Sequence, residues 1–328
     1  MVFLLFILAA IFTVLAAVKL STYADVLSER TSLGGMLIGT IFLAGATSLP
    51  EVTTSLTAIG LNNPDLAVGG VLGSNLFNLL IIASFDLYFR KKQIFKGASE
   101  SNLYTIYLGM LLSFLIFLAL TLKLPYSLFG VGVDSLILLV VYISGMYILS
   151  KKMAGSENGE EHEDGVPQTS AISLKRAITG FSIAAIVILI AGSLLSITGD
   201  KIAVVTGLGS SFVGSFLIAA STSLPEAVSV LIAIQLRNYN LAIGSILGSN
   251  LFNILILIGT DVMYRPASII STVSSVHLIT AMATFTLSMI VLYSLLRFKI
   301  PKLQTVYWLP SALLVIVYFV SSFLIFNY

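Results

Sequence analysis

The sequence predicts an all-α integral membrane protein, with ten transmembrane helices in two inverted five-helix repeats. Three observations predict it: the composition is very apolar, the apolar runs have membrane-spanning length, and one segment rich in polar residues occurs twice. Of 328 residues, 57% are hydrophobic and only 10% charged, a balance that water-soluble domains of this size do not have. The net charge of +2 leaves no basic footprint for nucleic acid, and the absence of cysteine excludes a disulfide framework, thiolate metal sites and a thiol nucleophile.

Apolar runs, each long enough to cross a hydrocarbon core of about 30 Å, place the spans near 2–18, 33–59, 65–89, 101–122, 128–150, 175–197, 209–235, 240–264, 275–297 and 305–326. No basic region precedes the first run, which therefore reads as a membrane helix and not as a cleaved signal. The clearly polar stretch, Lys151 to Ser173, reads as a solvated cytoplasmic linker; its Glu157, Glu160, Glu161, His162, Glu163 and Asp164 would otherwise suggest a calcium-sensing loop. The chain thus divides into a first unit, 1–150, a linker, 151–174, and a second unit, 175–328. If both termini lie outside a cell membrane, 14 of the 17 lysines and arginines fall in inside loops, leaving Lys123, Lys201 and Arg265 outside. Positive charge retained on the cytoplasmic side selects that orientation.

A shift of 175 residues lays Gly39–Arg90 on Gly214–Arg265 without a gap, with 26 of 52 columns identical. Thr47-Ser48-Leu49-Pro50-Glu51 falls on Thr222-Ser223-Leu224-Pro225-Glu226. Gly73-Ser74-Asn75-Leu76-Phe77-Asn78 falls on Gly248-Ser249-Asn250-Leu251-Phe252-Asn253. The matched columns are mainly Gly, Pro, Ser, Thr, Asn and Glu, which generic apolar composition does not produce. Because each unit has an odd number of spans, the second copy enters the membrane from the opposite side. Such inverted copies are the architecture of alternating-access transporters, with the site near the midplane at the repeat interface.

The repeated residues point to a cation. Glu51 and Glu226 lie well inside the second and seventh spans, where a carboxylate costs several kcal/mol and must face the protein interior. A glutamate bonded to nearby hydroxyls explains one such residue, but poorly explains two at equivalent places. Pro50 and Pro225 withhold a backbone donor and loosen the carbonyls near Ala44–Thr47 and Ala219–Thr222; such carbonyls are tolerated at midplane only where they line a cavity or bind an ion. Thr47, Ser48, Thr222 and Ser223 add hydroxyls. Ser74 with Asn78, and Ser249 with Asn253, stand four apart and share a helix face. Two carboxylates, many neutral oxygens and no sulfur suit hard cations such as calcium and sodium. The glycines Gly69, Gly70, Gly73, Gly244 and Gly248 permit close backbone approach, which packing alone would also explain. Asp86 and Asp261 each precede an arginine by four residues, Arg90 and Arg265, and are expected to form helix-end ion pairs. His277 is expected to be a packing or interface residue.

The paired blocks resemble the α-repeats of the cation/calcium exchanger superfamily, especially its sodium/calcium exchanger branch. The resemblance implies ten helices, with the second, third, seventh and eighth forming the ion pathway and the first and sixth long and mobile. It implies that Glu51 and Glu226 are the carboxylates shared by calcium and sodium. Thr47, Thr222, Ser74 and Ser249 would be hydroxyl ligands, the carbonyls of Ala44 and Ala219 sodium ligands, and Asn78 an amide ligand. Sodium/calcium exchangers carry aspartate where this chain has Asn253, so two central carboxylates remain here, not three. The expected activity is exchange of calcium for sodium, with calcium/proton exchange on the same scaffold as the alternative and a cation channel as a more distant one. No resident cofactor, enzymatic motif or obligate protein partner is expected.

Overall fold

The computed structural model describes residues 1–30, 45–156, 172–297 and 306–328. Nearly all of it is helical. Helix α1 covers Val2–Arg30, α2 Leu49–Gly60, α3 Pro64–Tyr88, α4 Glu100–Leu122, α5 Val133–Ser156 and α6 Leu174–Thr206. Then follow α7, Ser210–Thr222, and α8, Leu224–Gln235, which meet at a bend of 41°. Helices α9 Tyr239–Met263, α10 Val276–Leu296 and α11 Leu309–Asn327 complete the chain, with a two-stranded hairpin, Ser127–Leu128 against Val131–Gly132, before α5. Among the described residues, eight single helices are long and apolar enough to cross a membrane, and the bent pair α7–α8 makes a ninth. The span expected at 33–59 lies partly outside the described residues, as does 157–171, the middle of the expected linker.

Two expectations about span length need correction. The first helix runs to Arg30 and not to residue 18, and the sixth spans 33 residues, to Thr206. Hydropathy stops a span at its first polar cluster, whereas backbone bonding continues through Lys19, which is exposed, and Asp200, whose carboxylate accepts from Asn63 Nδ2 at 2.7 Å. These long helices pack along one another. One face of α1 presents Phe3, Leu4, Ile7, Leu8, Ile11, Phe12 and Leu15 outward, as a lipid-facing surface does. Helices α3 and α9 lie at the centre, with 89% and 67% of their apolar windows buried, against 28% for α1 and α6.

The same local devices build both motif segments. The residue before each proline-glutamate helix has ψ opened to near zero: Ser48 at 11° and Ser223 at −1°, each at φ −88°. Pro225 has no N–H to give the carbonyl of Ser221, so the ladder opens there and the span bends. The turn that ends α2 places Asn62 at φ 55°, and the turn that ends α8 places Arg237 at φ 61°. Asn63 then caps α3 by accepting from Leu66 N, and Asn238 caps α9 by accepting from Leu241 N, each at 3.0 Å. A side-chain cap of this kind satisfies one otherwise orphaned donor and stabilises by about 1 kcal/mol.

Glycine sets the depth of packing between α3 and α7. A Cβ on Gly73 would collide with the Cα and carbonyl of Ser215, and one on Gly69 would stand 2.9 Å from the carbonyl oxygen of Ser211. Ser215 lies in a six-residue π-helical stretch, Val213–Ile218. This wider turn precedes the bend and brings α7 against α3 backbone to backbone. The repeat partner of Gly214 is Gly39, outside the described residues, and no described atom lies within 4 Å of a Cβ built on Gly248.

Candidate functional site

Four elements converge on two carboxyl groups. Glu51 sits in the first turn of α2 and Glu226 in the first turn of α8; they are 2% and 3% exposed. Each lies one residue after the proline that opens its helix, so the bend and the carboxylate come as one unit. The two carboxyls are close enough to feel each other's charge. The hydroxyls of Thr222 and Ser74 face Glu51 and stand 3.2 Å from one another. A first-repeat helix and a second-repeat helix therefore meet beside a first-repeat glutamate.

The remaining expected residues fall on the same elements. Asn78 and Asn253 are buried on α3 and α9, Ser249 is buried on α9, and Ser48 and Ser223 are buried at the two helix starts. Thr47 is half-buried on the turn before Ser48. Ala44 lies outside the described residues. The Ala219 carbonyl is buried and already accepts from Ser223 N at 3.0 Å and Thr222 Oγ1 at 3.4 Å, so it is not a loosened carbonyl in this conformation.

Seven buried oxygens in this set have no hydrogen-bond partner among the described residues: Glu51 Oε2, both carboxyl oxygens of Glu226, Asn78 Oδ1, Asn253 Oδ1, Ser48 Oγ and Ser223 Oγ. Leaving a buried polar group unpaired costs about 1–3 kcal/mol each, more for a charged one. Folded proteins do not collect such costs at random, and calcium takes 6–8 oxygen ligands of these types. The chemistry of the donor set thus fits a hard cation as cargo.

Two residues that the sequence reading did not single out organise this centre. Asn75 and Asn250 stand at the α3–α9 crossing. Asn78 Nδ2 donates to Asn250 Oδ1 at 2.9 Å, and Asn253 Nδ2 donates to Asn75 Oδ1 at 2.9 Å. The two bonds map onto one another under the 175-residue shift. Both asparagines stand in the repeated GSNLFN block, so the signal was present as an unassigned identity.

The aspartates and the histidine of the sequence reading find other partners than expected. Asp86 accepts from Tyr307 Oη and, at 2.6 Å, from Ser311 Oγ; the buried Arg297 supplies the nearby positive charge and Arg90 points outward. Asp261 accepts from Gly132 N at 2.8 Å and Ile269 N at 2.7 Å. Helix spacing suggested a local ion pair. The actual partners arrive from the chain segments that fold back over each helix end, where backbone donors need an acceptor. His277 is fully buried, and its Nε2 meets Asp65 Oδ1 at 3.0 Å, an oxygen that also accepts from Ser274 N at 2.7 Å. At the shifted positions, Asn102 Nδ2 and Ser99 N donate to Asn240 Oδ1 at 2.8 and 3.0 Å. One joint is thus built twice, with Asp65–His277 in one copy and Asn240–Asn102 in the other.

Comparison with known proteins places these features. The family described as sodium/calcium exchanger protein matches residues 1–151 and 176–327. A putative antiporter, CaxA of Alkalimonas amylolytica, is 28% identical over 247 residues, 75% of each chain. The crystal structure of the H+/Ca2+ exchanger CAX superposes with a TM-score of 0.69 at 13% identity, covering 99% of this chain and 89% of that one. The sodium-calcium exchanger NCX_Mj superposes with a TM-score of 0.58 at 19% identity, covering 98% of each. At these identities the two structures share the fold.

Proposed function

Because this chain belongs to the sodium/calcium exchanger protein family and is a multi-pass helical membrane antiporter of cations including calcium, we propose that it exchanges calcium for sodium by alternating access. The observation that carries this reading is the pair of buried glutamates, one from each motif, among oxygens without protein partners. The ligand set we propose is Glu51, Glu226, Thr47, Thr222, Ser74, Ser249, Asn78, Asn253, Ser48 and Ser223, with the carbonyls of Ala44 and Ala219. The Ala219 carbonyl would join by giving up one of its present hydrogen bonds. One calcium ion neutralises two glutamates, and so do two monovalent ions. The empty site would leave two unpaired carboxylates in low dielectric, which is costly; reorientation of the empty site is therefore slow, and loaded sites cross. Exchange follows without a separate gate.

The ten-span, inverted reading is part of this proposal. Hydrogen bonds that recur 175 residues apart, at the caps of α3 and α9, at the asparagine crossing and at the Asp65 and Asn240 joints, support it. With ten spans and the charge bias of the loops, both termini lie outside a cell membrane and Arg90–Lys96 lies inside. Cysteines introduced into this cysteine-free chain test the orientation. Lys96→Cys should resist an impermeant thiol reagent in intact cells, and a cysteine added after Tyr328 should react; labelling of Lys96→Cys from outside overturns the orientation.

Sodium is the proposed counter-ion because the motifs surround two carboxylates with neutral oxygens. A proton needs one basic oxygen, whereas sodium needs about five or six, and oxygen is the ligand it shares with calcium. Proteoliposomes loaded with sodium and diluted into sodium-free buffer, with pH clamped and a protonophore present, should take up calcium. Uptake that ignores the sodium gradient and follows an imposed pH gradient assigns the chain to calcium/proton exchange.

A further inference from the structure

The asparagine crossing has a direction that the fold dictates. Asn250 Nδ2 donates to the backbone carbonyl of Asn75 at 3.2 Å. A carbonyl can only accept, so Asn250 must present its amide nitrogens there and its Oδ1 on the other side. Asn78 must then present Nδ2 to that oxygen, which turns its own Oδ1 away. Asn253 makes the equivalent bond to Asn75 Oδ1, and its Oδ1 is turned away likewise. Both of these carbonyl oxygens are buried and have no partner among the described residues. Asn78 shares a helix face with Ser74, whose hydroxyl faces Glu51.

Behind the crossing lies a cavity of about 10 Å³ bordered by Asn75, Asn250, Thr105, Ser113, Thr284 and Ser288. That is room for roughly one water molecule and not for a hydrated ion. Neither Asn78 nor Asn253 borders that cavity.

Charge at the centre can also be counted. Among the described residues, no group of three His, Cys, Asp or Glu side chains is arranged to hold a metal. Residues 31–44 contain no ionisable side chain. Among the described residues gathered at this centre, Glu51 and Glu226 are the ones that carry a fixed charge.

We infer that the four asparagines form a neutral clamp, with Asn75 and Asn250 as positioning residues that aim the carbonyl oxygens of Asn78 and Asn253 at the cargo. The site consequently exchanges one calcium ion for two monovalent cations without moving net charge across the membrane. The inference rests on the exchange reading above and holds for sodium or protons as the counter-ion. A charged partner at position 253 would demand a third monovalent ion; an amide held by its nitrogen supplies an oxygen and demands none.

The test is calcium accumulation by proteoliposomes under whichever cation gradient drives it, with the membrane potential set by potassium and valinomycin. Imposing about 100 mV of either sign should leave the final accumulation ratio unchanged. One net charge per cycle would shift that ratio about 50-fold at this potential, and such a shift overturns the inference. Absence of calcium uptake under every gradient would instead overturn the exchange reading. Asn253→Asp should make accumulation potential-dependent; a variant that transports calcium and stays indifferent to potential counts against the charge argument. Asn75→Ala and Asn250→Ala free the ligand amides to turn. Their KM for calcium should rise about tenfold while the maximal rate per folded molecule changes less than about threefold. An unchanged KM in both, or a fall in maximal rate alone, removes the positioning role.

Discussion

Glu226→Gln abolishes calcium transport while the protein still folds. The amide preserves the shape of the side chain and removes one of two charges that face the cargo. Removing one partner of a buried, hydrogen-bonded charge pair costs about 3–5 kcal/mol, which is a loss of affinity on the order of 10²- to 10³-fold. Folding is not at risk, because neither carboxyl oxygen of Glu226 has a hydrogen-bond partner among the described residues, and a neutral amide is cheaper to bury than a carboxylate. Two measurements separate these effects. Calcium uptake into vesicles should fall to background, and the rise in thermal midpoint that calcium gives the unaltered protein should vanish, while the midpoint without calcium stays or rises. Near-normal exchange by Glu226→Gln would remove Glu226 from the ligand set. Glu51→Gln should behave the same way.

Gly73→Val prevents the central helices from closing. A Cβ at this position would overlap the backbone of Ser215, and backbone cannot step aside as a flexible side chain can. Overpacking of a well-filled core typically costs 1–3 kcal/mol, and a collision with main chain belongs at or above the top of that range. The recoverable folded fraction should fall several-fold, with a lower thermal midpoint and no transport. Gly60→Ala is the control: a Cβ there meets nothing within 4 Å, so yield and transport should match the unaltered chain. Equal loss in both variants would mean that glycine matters for reasons other than the α3–α7 contact.

Much of the architecture is legible in the sequence because the membrane imposes few rules. Apolar length locates the spans, and the repeated TSLPE and GSNLFN blocks mark the segments that meet at the centre. What the sequence concealed falls into two kinds. Helix ends were misjudged where the backbone stays helical past the apolar run, as from Lys19 to Arg30 and from Thr198 to Thr206. Partners were misjudged where spacing offers a local answer and folding supplies a distant one. Asp86 lies four residues from Arg90 yet bonds to Tyr307 and Ser311, more than 200 residues away. The bend at Ser223 was half legible: the proline announced it, but the π-helical stretch at Val213–Ile218 carries no residue signature that periodicity could reveal. The amide crossing was written in the repeat, since Asn75 and Asn250 are identical under the shift, but only contact shows that they grip the asparagine three residues on from each other.

The doubled joint at Asp65 and Asn240 gives the molecule two fastenings of one design and two chemistries. In one, an amide meets an amide; in the other, an imidazole meets a carboxylate. One joint closes between two neutral side chains, while the other closes between a fully buried imidazole and a carboxylate. Two copies of one motif, alike in geometry at this joint, thus differ in the chemistry that closes it.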